Sequence, residues 1–257
     1  MRPSFVETKN YLAFQGALDD LQARGADECR LIVVDGQPGL GKTTILQRWA
    51  AQESCFYLRA KNDWTTYWFL QELLEAGRQN APFGGAARFT AAIHMLAEHQ
   101  RMAEMVDRQF VVVMDEADYV SARPKLMDMV RDLADVSGVC FVLVGMGKIR
   151  DNLVRFPQTA SRISRYVRFE PADIDGVTQF LDAKCEVKVA GDLAAFVARA
   201  SGGYNREIVE AIQNIERFGL RNPPSGPDGL TLRDMAGQRL MNDRKTSNAI
   251  MVPGVAK

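Results

Sequence analysis

A run of apolar residues leads directly into a glycine-rich loop near the start of the chain, and this feature limits the possible folds most strongly. Residues 31–34 are Leu-Ile-Val-Val, and residues 36–43 follow the pattern Gly-x-x-x-x-Gly-Lys-Thr. Glycines let the backbone bend so that successive N–H groups point into an anion-sized concavity, and a following helix adds the positive end of its dipole. Apolar residues at 45, 46 and 49 predict that helix. The segment therefore predicts a phosphate-binding loop between a strand and a helix, whereas an ordinary glycine turn would need neither neighbour.

The residues of this loop have distinct predicted roles in binding ATP with Mg²⁺. The Lys42 ammonium is expected at the β and γ phosphates, and the Thr43 hydroxyl is expected on Mg²⁺. Thr44 either hydrogen-bonds an inner phosphate or opens the helix. The predicted nucleotide-binding set is the loop and one acid from later in the chain: Gly36, Gln37, Pro38, Gly39, Leu40, Gly41, Lys42, Thr43, Thr44 and Asp115.

A second apolar run, at residues 110–114, ends in the acids Asp115, Glu116 and Asp118. Ligands of open α/β sheets bind beyond the carboxyl ends of the strands, so Asp115 and Glu116 are expected at the same edge as the phosphate loop. Asp115 is expected to hold Mg²⁺ through water, and Glu116 to orient or deprotonate an attacking water. A kinase has less need of a water-activating carboxylate, so the pair favours an ATPase. The alternative is that Glu116 and Asp118 only begin a solvated helix.

Composition and charge limit the class of protein. The chain has 257 residues, 47% hydrophobic and 25% charged, which is enough for a large core. Its 32 Lys and Arg residues balance 32 Asp and Glu residues, so DNA binding would require a local basic stripe or an assembly that repeats a few cations.

We expect a cytoplasmic protein, because the start lacks the apolar run of a secretion signal and no stretch could span a membrane. The isolated Cys29, Cys55, Cys140 and Cys185 predict reduced thiols.

Hydrophobic periodicity predicts an α/β domain followed by a helical lid. The expected architecture is a parallel sheet with helices on both faces, with strands near 31–34, 55–59, 110–114, 139–144 and 166–169. The strand at 55–59 is expected either between the phosphate-loop strand and the acidic strand in the sheet or beside them. Breakers after residue 220 predict a linker. The predicted organisation is an N-terminal helical segment 1–28, a nucleotide-binding domain 29–170, a lid of three helices 171–220, and a linker with a mobile tail 221–257.

Four motifs together resemble an AAA+ ATPase. They are Gly-Gln-Pro-Gly-Leu-Gly-Lys-Thr-Thr at 36–44, Val-Met-Asp-Glu-Ala-Asp at 113–118, Val-Leu-Val-Gly-Met at 142–146 and Gly-Gly-Tyr-Asn-Arg at 202–206. The resemblance covers about residues 10 to 220, and within the superfamily the chain is most similar to transposition regulators of the phage Mu B protein and TnsC type. It implies an ATP-dependent regulator that assembles into rings or filaments on duplex DNA, acts on a transposase at the selected target site, and is released by hydrolysis. If phage-encoded, the protein would work in the host cytoplasm.

Other functions remain open from the sequence. Initiator and helicase-loader ATPases share the same motifs. Two further classes also fit a phosphate loop, namely a small-molecule P-loop kinase and a nucleotide-gated scaffold that does not hydrolyse ATP. ATP turnover without an acceptor would count against the kinase.

The resemblance also implies roles for arginines. Arg206 matches the lid arginine that senses the γ-phosphate, and Arg162, with Arg165 as a substitute, matches the arginine finger offered to a neighbouring subunit. With Lys42 and Glu116, Arg162 and Arg206 complete the predicted catalytic set. The alternative for each arginine is a surface position at a helix end. The chain departs from the superfamily at Met146, where a polar sensor side chain is usual, so either Lys148 substitutes or hydrolysis is slow or absent.

For DNA contact, the resemblance points to loops facing the central channel of an oligomer. Phosphate contacts from such loops would give sequence-independent binding that weakens steeply with salt, whereas solvated charges beside a helix are the alternative. The nearby aromatic residues could stack on bases, but we expect them to pack in the core or at a subunit interface. The DNA candidates are Arg59, Lys61, Thr65, Arg123 and Lys125, and the aromatic residues are Trp64, Tyr67, Trp68 and Phe69.

Overall fold

The computed structural model describes residues 1–24, 30–224 and 226–254. The chain forms two compact units. One, the sheet unit, comprises Ala13–Pro38 and Lys42–Phe169. The other, the lid unit, comprises Met1–Leu12, Gly39–Gly41 and Glu170–Lys257. Among the described cysteines, Cys55, Cys140 and Cys185 are free thiols, and Cys29 lies outside the described residues.

The sheet unit is built on five parallel strands. They are β1 (Leu31–Asp35), β2 (Phe56–Arg59), β3 (Val111–Asp115), β4 (Cys140–Val144) and β5 (Ile163–Arg168), in the spatial order β2-β3-β4-β1-β5. Every residue of β1, β3 and β4 is buried, which explains their continuous apolar sequences. The predicted parallel α/β fold is confirmed.

The position of β2 settles the two arrangements that the sequence left open. β4 pairs with both β1 and β3, so β4 is the strand that separates the phosphate-loop strand from the acidic strand. β2 pairs with β3 at the edge of the sheet. An intervening position for β2 was therefore wrong, and the position beside the acidic strand is correct. Chain order does not fix the order across a parallel sheet, because each crossover can return on either side.

Helices flank the sheet and close its core. In chain order they are α1 (Lys9–Arg24), α2 (Lys42–Gln52), α3 (Thr66–Ala76), α4 (Gly85–Glu104), α5 (Asp118–Ser121), α6 (Pro124–Ser137), α7 (Lys148–Leu153) and α8 (Pro157–Ala160). Trp64 and Phe69 are fully buried in the main apolar cluster, as expected, and a fully buried side chain of this size contributes roughly 1.5–3 kcal/mol. Tyr67 and Trp68, by contrast, are exposed. Among the described residues, no helix has both the length and the apolar character needed to cross a membrane.

The lid unit contains the three predicted helices and an additional hairpin. The helices are α9 (Ile174–Lys184), α10 (Gly191–Ser201) and α11 (Asn205–Gly219). In place of the predicted mobile tail, β6 (Arg239–Asn242) and β7 (Ala249–Met251) form an antiparallel pair. Leu240, Met241 and Val252 are buried in the same apolar cluster as the lid helices, and their burial stabilises the hairpin. The breakers after residue 220 had predicted a linker there. Ser225 and residues 255–257 lie outside the described residues.

Candidate nucleotide site

The phosphate loop connects β1 to α2 and has the backbone that its glycines predict. Gly36, Gly39 and Gly41 have φ values of 153°, 88° and 82°, a region that strains residues with a Cβ atom. α2 begins at Lys42, directly after the last of these glycines. The loop therefore ends at a helix N-terminus, where backbone N–H groups favour an anion.

The ammonium group of Lys42 lies against the backbone of the phosphate loop. The side chain is buried, and Nζ donates hydrogen bonds to the carbonyl oxygens of Gly36 at 2.6 Å and Gln37 at 3.0 Å. Burial lowers the pKa of Lys42, and the carboxylates of Asp115 and Asp118 oppose that shift. A bound polyphosphate would compensate the desolvated charge, so the geometry suits the predicted phosphate contact.

Thr43 and Asp115 meet at the carboxyl end of β3. The Thr43 hydroxyl donates to Asp115 Oδ2 at 2.6 Å, although the two residues come from different predicted motifs. Asp115 Oδ1 accepts the backbone N–H of Glu116 at 2.8 Å. A hydroxyl and a carboxylate are hard oxygen donors that fit Mg²⁺, which usually completes its shell with waters and phosphate oxygens. Among the described residues, no group of three or more His, Cys, Asp or Glu side chains could hold a metal ion.

Tyr57 is a third member of this cluster, which the sequence did not predict. Its hydroxyl donates to the same oxygen, Asp115 Oδ2, at 2.5 Å. Burial, reinforced by the hydrogen bond to Asp115, raises the pKa of Tyr57, so the phenol stays protonated and remains a donor. Side chains two residues apart in a strand lie on the same face of the sheet, so Tyr57 shares a face of β2 with Arg59. Arg59 pairs with Asp115 in the neighbouring strand, and this places Tyr57 on the side of Asp115.

Glu116 follows β3 in a strained backbone conformation. Its φ of 56° is unusual for a residue with a side chain and is most often kept where function requires it. One carboxylate oxygen lies 3.4 Å from Nη2 of Arg59, whose side chain is 70% exposed while that of Glu116 is only 20% exposed. The structure therefore places a predicted DNA contact, Arg59, against the predicted water-activating acid.

The loop after β4 is fixed by Asp118. The backbone N–H of Met146 donates to Asp118 Oδ2 at 2.5 Å, and a Cβ on Gly145 would come within 2.8 Å of the same oxygen. The Met146 side chain is exposed and brings no polar group, as the sequence predicted. Lys148, the possible substitute, is the exposed first residue of α7. The acidic segment after β3 and the loop after β4 are thus joined through a backbone hydrogen bond.

A buried acid at the end of β1 forms a further link that the sequence did not reveal. Asp35 Oδ1 accepts a hydrogen bond from Nη2 of Arg150 in α7 at 3.3 Å, and Nε of the same guanidinium lies at an ion-pair distance of 2.6 Å from Asp35 Oδ2. The same guanidinium lies 4.9 Å from the centre of the Tyr166 ring. This ion pair fixes the residue that immediately precedes the phosphate loop.

The predicted catalytic arginines occupy different environments. Arg162 Nε lies 3.0 Å from Asp135, and Arg165 lies 2.6 Å from Asp20, so each is paired within its own chain. Arg206 is the exposed second residue of α11, and its backbone N–H approaches the carbonyl oxygen of Gly39 at 3.4 Å. Within the single chain, neither Arg162 nor Arg165 joins the phosphate-loop cluster, and a role toward another subunit remains a prediction.

The remaining DNA candidates surround the loop between β2 and α3. Lys61 pairs with Glu72 and lies 4.9 Å from the centre of the Trp68 ring. Thr65 caps α3 by accepting the N–H of Trp68, so its hydroxyl stabilises the helix. Arg123 donates to the carbonyl oxygens of Trp64 and Asn62 and so shapes this loop from the other side. Lys125 is exposed near the start of α6. Arg59, Lys61 and Lys125 are therefore the most accessible cations of the set.

Comparisons with known proteins agree with this geometry. A family model described as an AAA domain matches residues 24–153. The fold is similar to that of Cdc6p from Pyrobaculum aerophilum, with 17% identity and a TM-score of 0.57 over 86% of this chain and 65% of that one. It is also similar to the ORC2 protein of Aeropyrum pernix in ADPNP-ADP complexes, with 15% identity and a TM-score of 0.58 over 86% and 66%. The Aeropyrum pernix ORC1 protein in complex with DNA gives 16% identity and a TM-score of 0.55 over 87% and 63%.

These similarities define the fold. The chain spans less than two thirds of the length of each of these three proteins. No curated protein sequence matches this one. The chain and these solved structures thus share a fold.

Proposed function

Since the chain belongs to the AAA domain family, we propose that it binds and hydrolyses ATP and that the ATP-bound form assembles on duplex DNA. The observation that carries the ATPase part is the convergence of four side chains from two separate segments of the chain. Lys42 lies on the phosphate loop, Thr43 is hydrogen-bonded to Asp115, and Glu116 follows at the end of the same strand.

Each of these residues has a step in the proposed reaction. Lys42 binds the β and γ phosphates and offsets their charge. Thr43 and Asp115 would hold Mg²⁺, and the bound ion would neutralise charge on the phosphate oxygens. Glu116 orients a water molecule for attack on the γ-phosphorus and accepts its proton, while the bond from the γ-phosphorus to the bridging oxygen breaks and ADP leaves. A neighbouring subunit's Arg162 supplies further positive charge, which makes hydrolysis depend on assembly.

We further propose that the biological role is regulation of DNA transposition. A ring or helical filament would repeat the accessible cations Arg59, Lys61 and Lys125 along the phosphate backbone of DNA. Because the positive and negative charges of the chain balance, DNA binding depends on such a local repetition of cations. The assembly would select the target site and activate a transposase, and hydrolysis would release it. This role is supported by the motif resemblance described above.

A replication initiator or helicase loader is a second candidate. The similarity to Cdc6p and to ORC proteins, one of them solved in complex with DNA, favours it. The two roles differ in what they demand of the DNA. A target-site regulator should bind unrelated duplexes equally, whereas an initiator should prefer the sequence at which replication begins.

Electron microscopy of the protein with duplex DNA and AMP-PNP tests the proposal. We expect ordered rings or filaments on the duplex with AMP-PNP and far fewer with ADP. Two duplexes of unrelated sequence should be coated equally if binding is through phosphates. Monomers on or off the DNA with AMP-PNP would contradict the assembly, and strong preference for one duplex would favour the initiator role.

The contact between Arg59 and Glu116 predicts a link between DNA and hydrolysis. Arg59→Ala removes the cation that pairs with Glu116 and so releases that carboxylate to orient a water molecule; since exposed pairs are worth about 0.2–1 kcal/mol, DNA-free ATP turnover should rise by up to about fivefold. The same change removes one phosphate contact per subunit, so the slope of log affinity against log salt should fall by about 0.9. Steady-state turnover and a salt titration measure the two effects.

Arg108→Ala is a matched control for this prediction. Arg108 is also an exposed arginine, paired with Glu53 at 3.8 Å. Its removal should leave both the turnover and the salt slope unchanged. If Arg59→Ala behaves like Arg108→Ala in both measurements, Arg59 contacts neither partner in the way we propose.

A further inference from the structure

The loop of the terminal hairpin brings an arginine to the phosphate loop. Arg244 follows β6, and its Nη1 atom lies 2.7 Å from the position that a Cβ atom on Gly39 would take. Gly39 belongs to the lid unit together with Arg244, so this approach lies within one compact unit. A side chain at position 39 would therefore displace the guanidinium from where it now lies.

Two side chains at the start of α11 fix the direction of Arg244. Its guanidinium carbon lies 4.0 Å from the centre of the Tyr204 ring, and Nη1 lies 3.1 Å from Glu207 Oε1. Stacking on an aromatic face and pairing with a carboxylate are the two contacts that a planar guanidinium makes best. Arg244 is thus oriented before any ligand arrives.

The hairpin loop that carries Arg244 is itself well ordered by hydrogen bonds. Asp243 Oδ1 accepts the backbone N–H groups of Lys245 at 2.9 Å and Thr246 at 2.7 Å. The N–H of Asp243 donates to the carbonyl oxygen of Asn248 at 2.7 Å. These contacts close the loop on both sides of Arg244, so presenting the guanidinium requires little ordering on binding.

Glu207 shows why a cation is needed at this position. Its side chain is only 8% exposed, and within the described residues its Oε2 atom is buried without a hydrogen-bond partner. A buried carboxylate would repel an anion bound by the neighbouring loop unless its charge were neutralised. Arg244 neutralises Glu207 and, because a guanidinium carries several N–H donors in one plane, is able to donate to a phosphate oxygen at the same time.

We propose that Arg244 binds the polyphosphate chain of the nucleotide on the phosphate loop and that Glu207 is its positioning residue. This inference rests on the proposed function, since it takes the loop to hold a nucleotide. It adds to the role expected of Arg206, whose side chain is exposed. The terminal hairpin becomes part of nucleotide recognition.

Calorimetric titration with AMP-PNP and with ADP tests this proposal. Arg244→Ala should weaken the binding of at least one of them by about 10- to 100-fold, the range for a lost charge-assisted hydrogen bond. Loss confined to AMP-PNP places the contact at the terminal phosphate, and equal loss for both places it at an inner phosphate. Arg244→Lys should recover part of the affinity because it keeps the charge. Wild-type affinity of Arg244→Ala for both nucleotides would overturn the proposal.

Arg239→Ala separates binding from a purely structural effect. Arg239 also lies on the hairpin and pairs with a glutamate of α11, Glu210, at 3.4 Å. Its removal should leave both affinities within about twofold, because it breaks only an exposed pair and, in the proposal, Arg239 contacts no nucleotide. Equal loss of affinity in Arg239→Ala and Arg244→Ala, with equal falls in the nucleotide-free melting temperature, would assign the effect to hairpin packing and overturn the proposal. Failure of the wild-type protein to bind either nucleotide would overturn the proposed function itself.

Discussion

Glu116→Gln should reduce ATP turnover by about 100- to 10 000-fold, the usual contribution of a positioned general base. The substitution keeps the size of the side chain and removes its ability to accept a proton. Lys42, Thr43 and Asp115 are unchanged, so the affinity for ATP should stay within about threefold, because none of the direct phosphate contacts is lost. Single-turnover hydrolysis and filter binding of labelled ATP measure the two quantities separately.

Glu53→Gln is the control for Glu116→Gln. Glu53 is an acid paired with Arg108, and its neutralisation should not change turnover. DNA assembly provides a second readout, because a protein gated by ATP binding should still assemble as Glu116→Gln and then fail to release. Unchanged turnover in Glu116→Gln would remove Glu116 from the mechanism. Absence of turnover in the wild-type protein would favour the nucleotide-gated scaffold.

Lys42→Ala should weaken ATP binding by about 100-fold or more and abolish ATP-dependent assembly. A hydrogen bond to a charged group is worth about 1.5–3 kcal/mol, and Lys42 is expected to make such bonds to two phosphates. The side chain also contributes the main positive charge of the loop, held there by the carbonyl oxygens of Gly36 and Gln37. Calorimetry measures the affinity, and light scattering with AMP-PNP and DNA measures assembly.

Lys188→Ala controls for the loss of a lysine as such. Lys188 is exposed and donates to the carbonyl oxygen of Pro227, and its removal should change neither measurement. The melting temperature of Lys42→Ala without nucleotide shows whether the loop remains folded. Wild-type affinity and assembly in a folded Lys42→Ala protein would contradict both the nucleotide site and the role proposed for it.

The local features of the fold could be predicted because each depends on a short stretch of sequence. The glycine spacing of residues 36–41 fixes the loop, and continuous apolar runs identify β1, β3 and β4 as buried strands. The meeting of Thr43 with Asp115 also followed, because the carboxyl ends of parallel strands share one edge. These inferences require no knowledge of which strands are neighbours.

The features that the sequence did not reveal all depend on long-range packing. The place of β4 between β1 and β3 is decided by how crossovers pack, and the role of Tyr57 follows only from the pairing of β2 with β3. Arg244 and Gly39 are distant in sequence and are brought together by a hairpin whose buried residues follow no clear period. The prolines and glycines of residues 223–229 predicted a linker, so the hairpin that follows them was not recognised in the sequence.

Strand β2 lies at one edge of the sheet and, among the described strands, pairs with β3 alone. Its four residues include Tyr57 and Arg59, which touch Asp115 and Glu116, and it leads into the loop that carries Lys61. Two side chains of this one edge strand therefore reach two neighbouring carboxylates of the nucleotide site, so β2 joins the DNA candidates Arg59 and Lys61 to the acids expected to act on ATP.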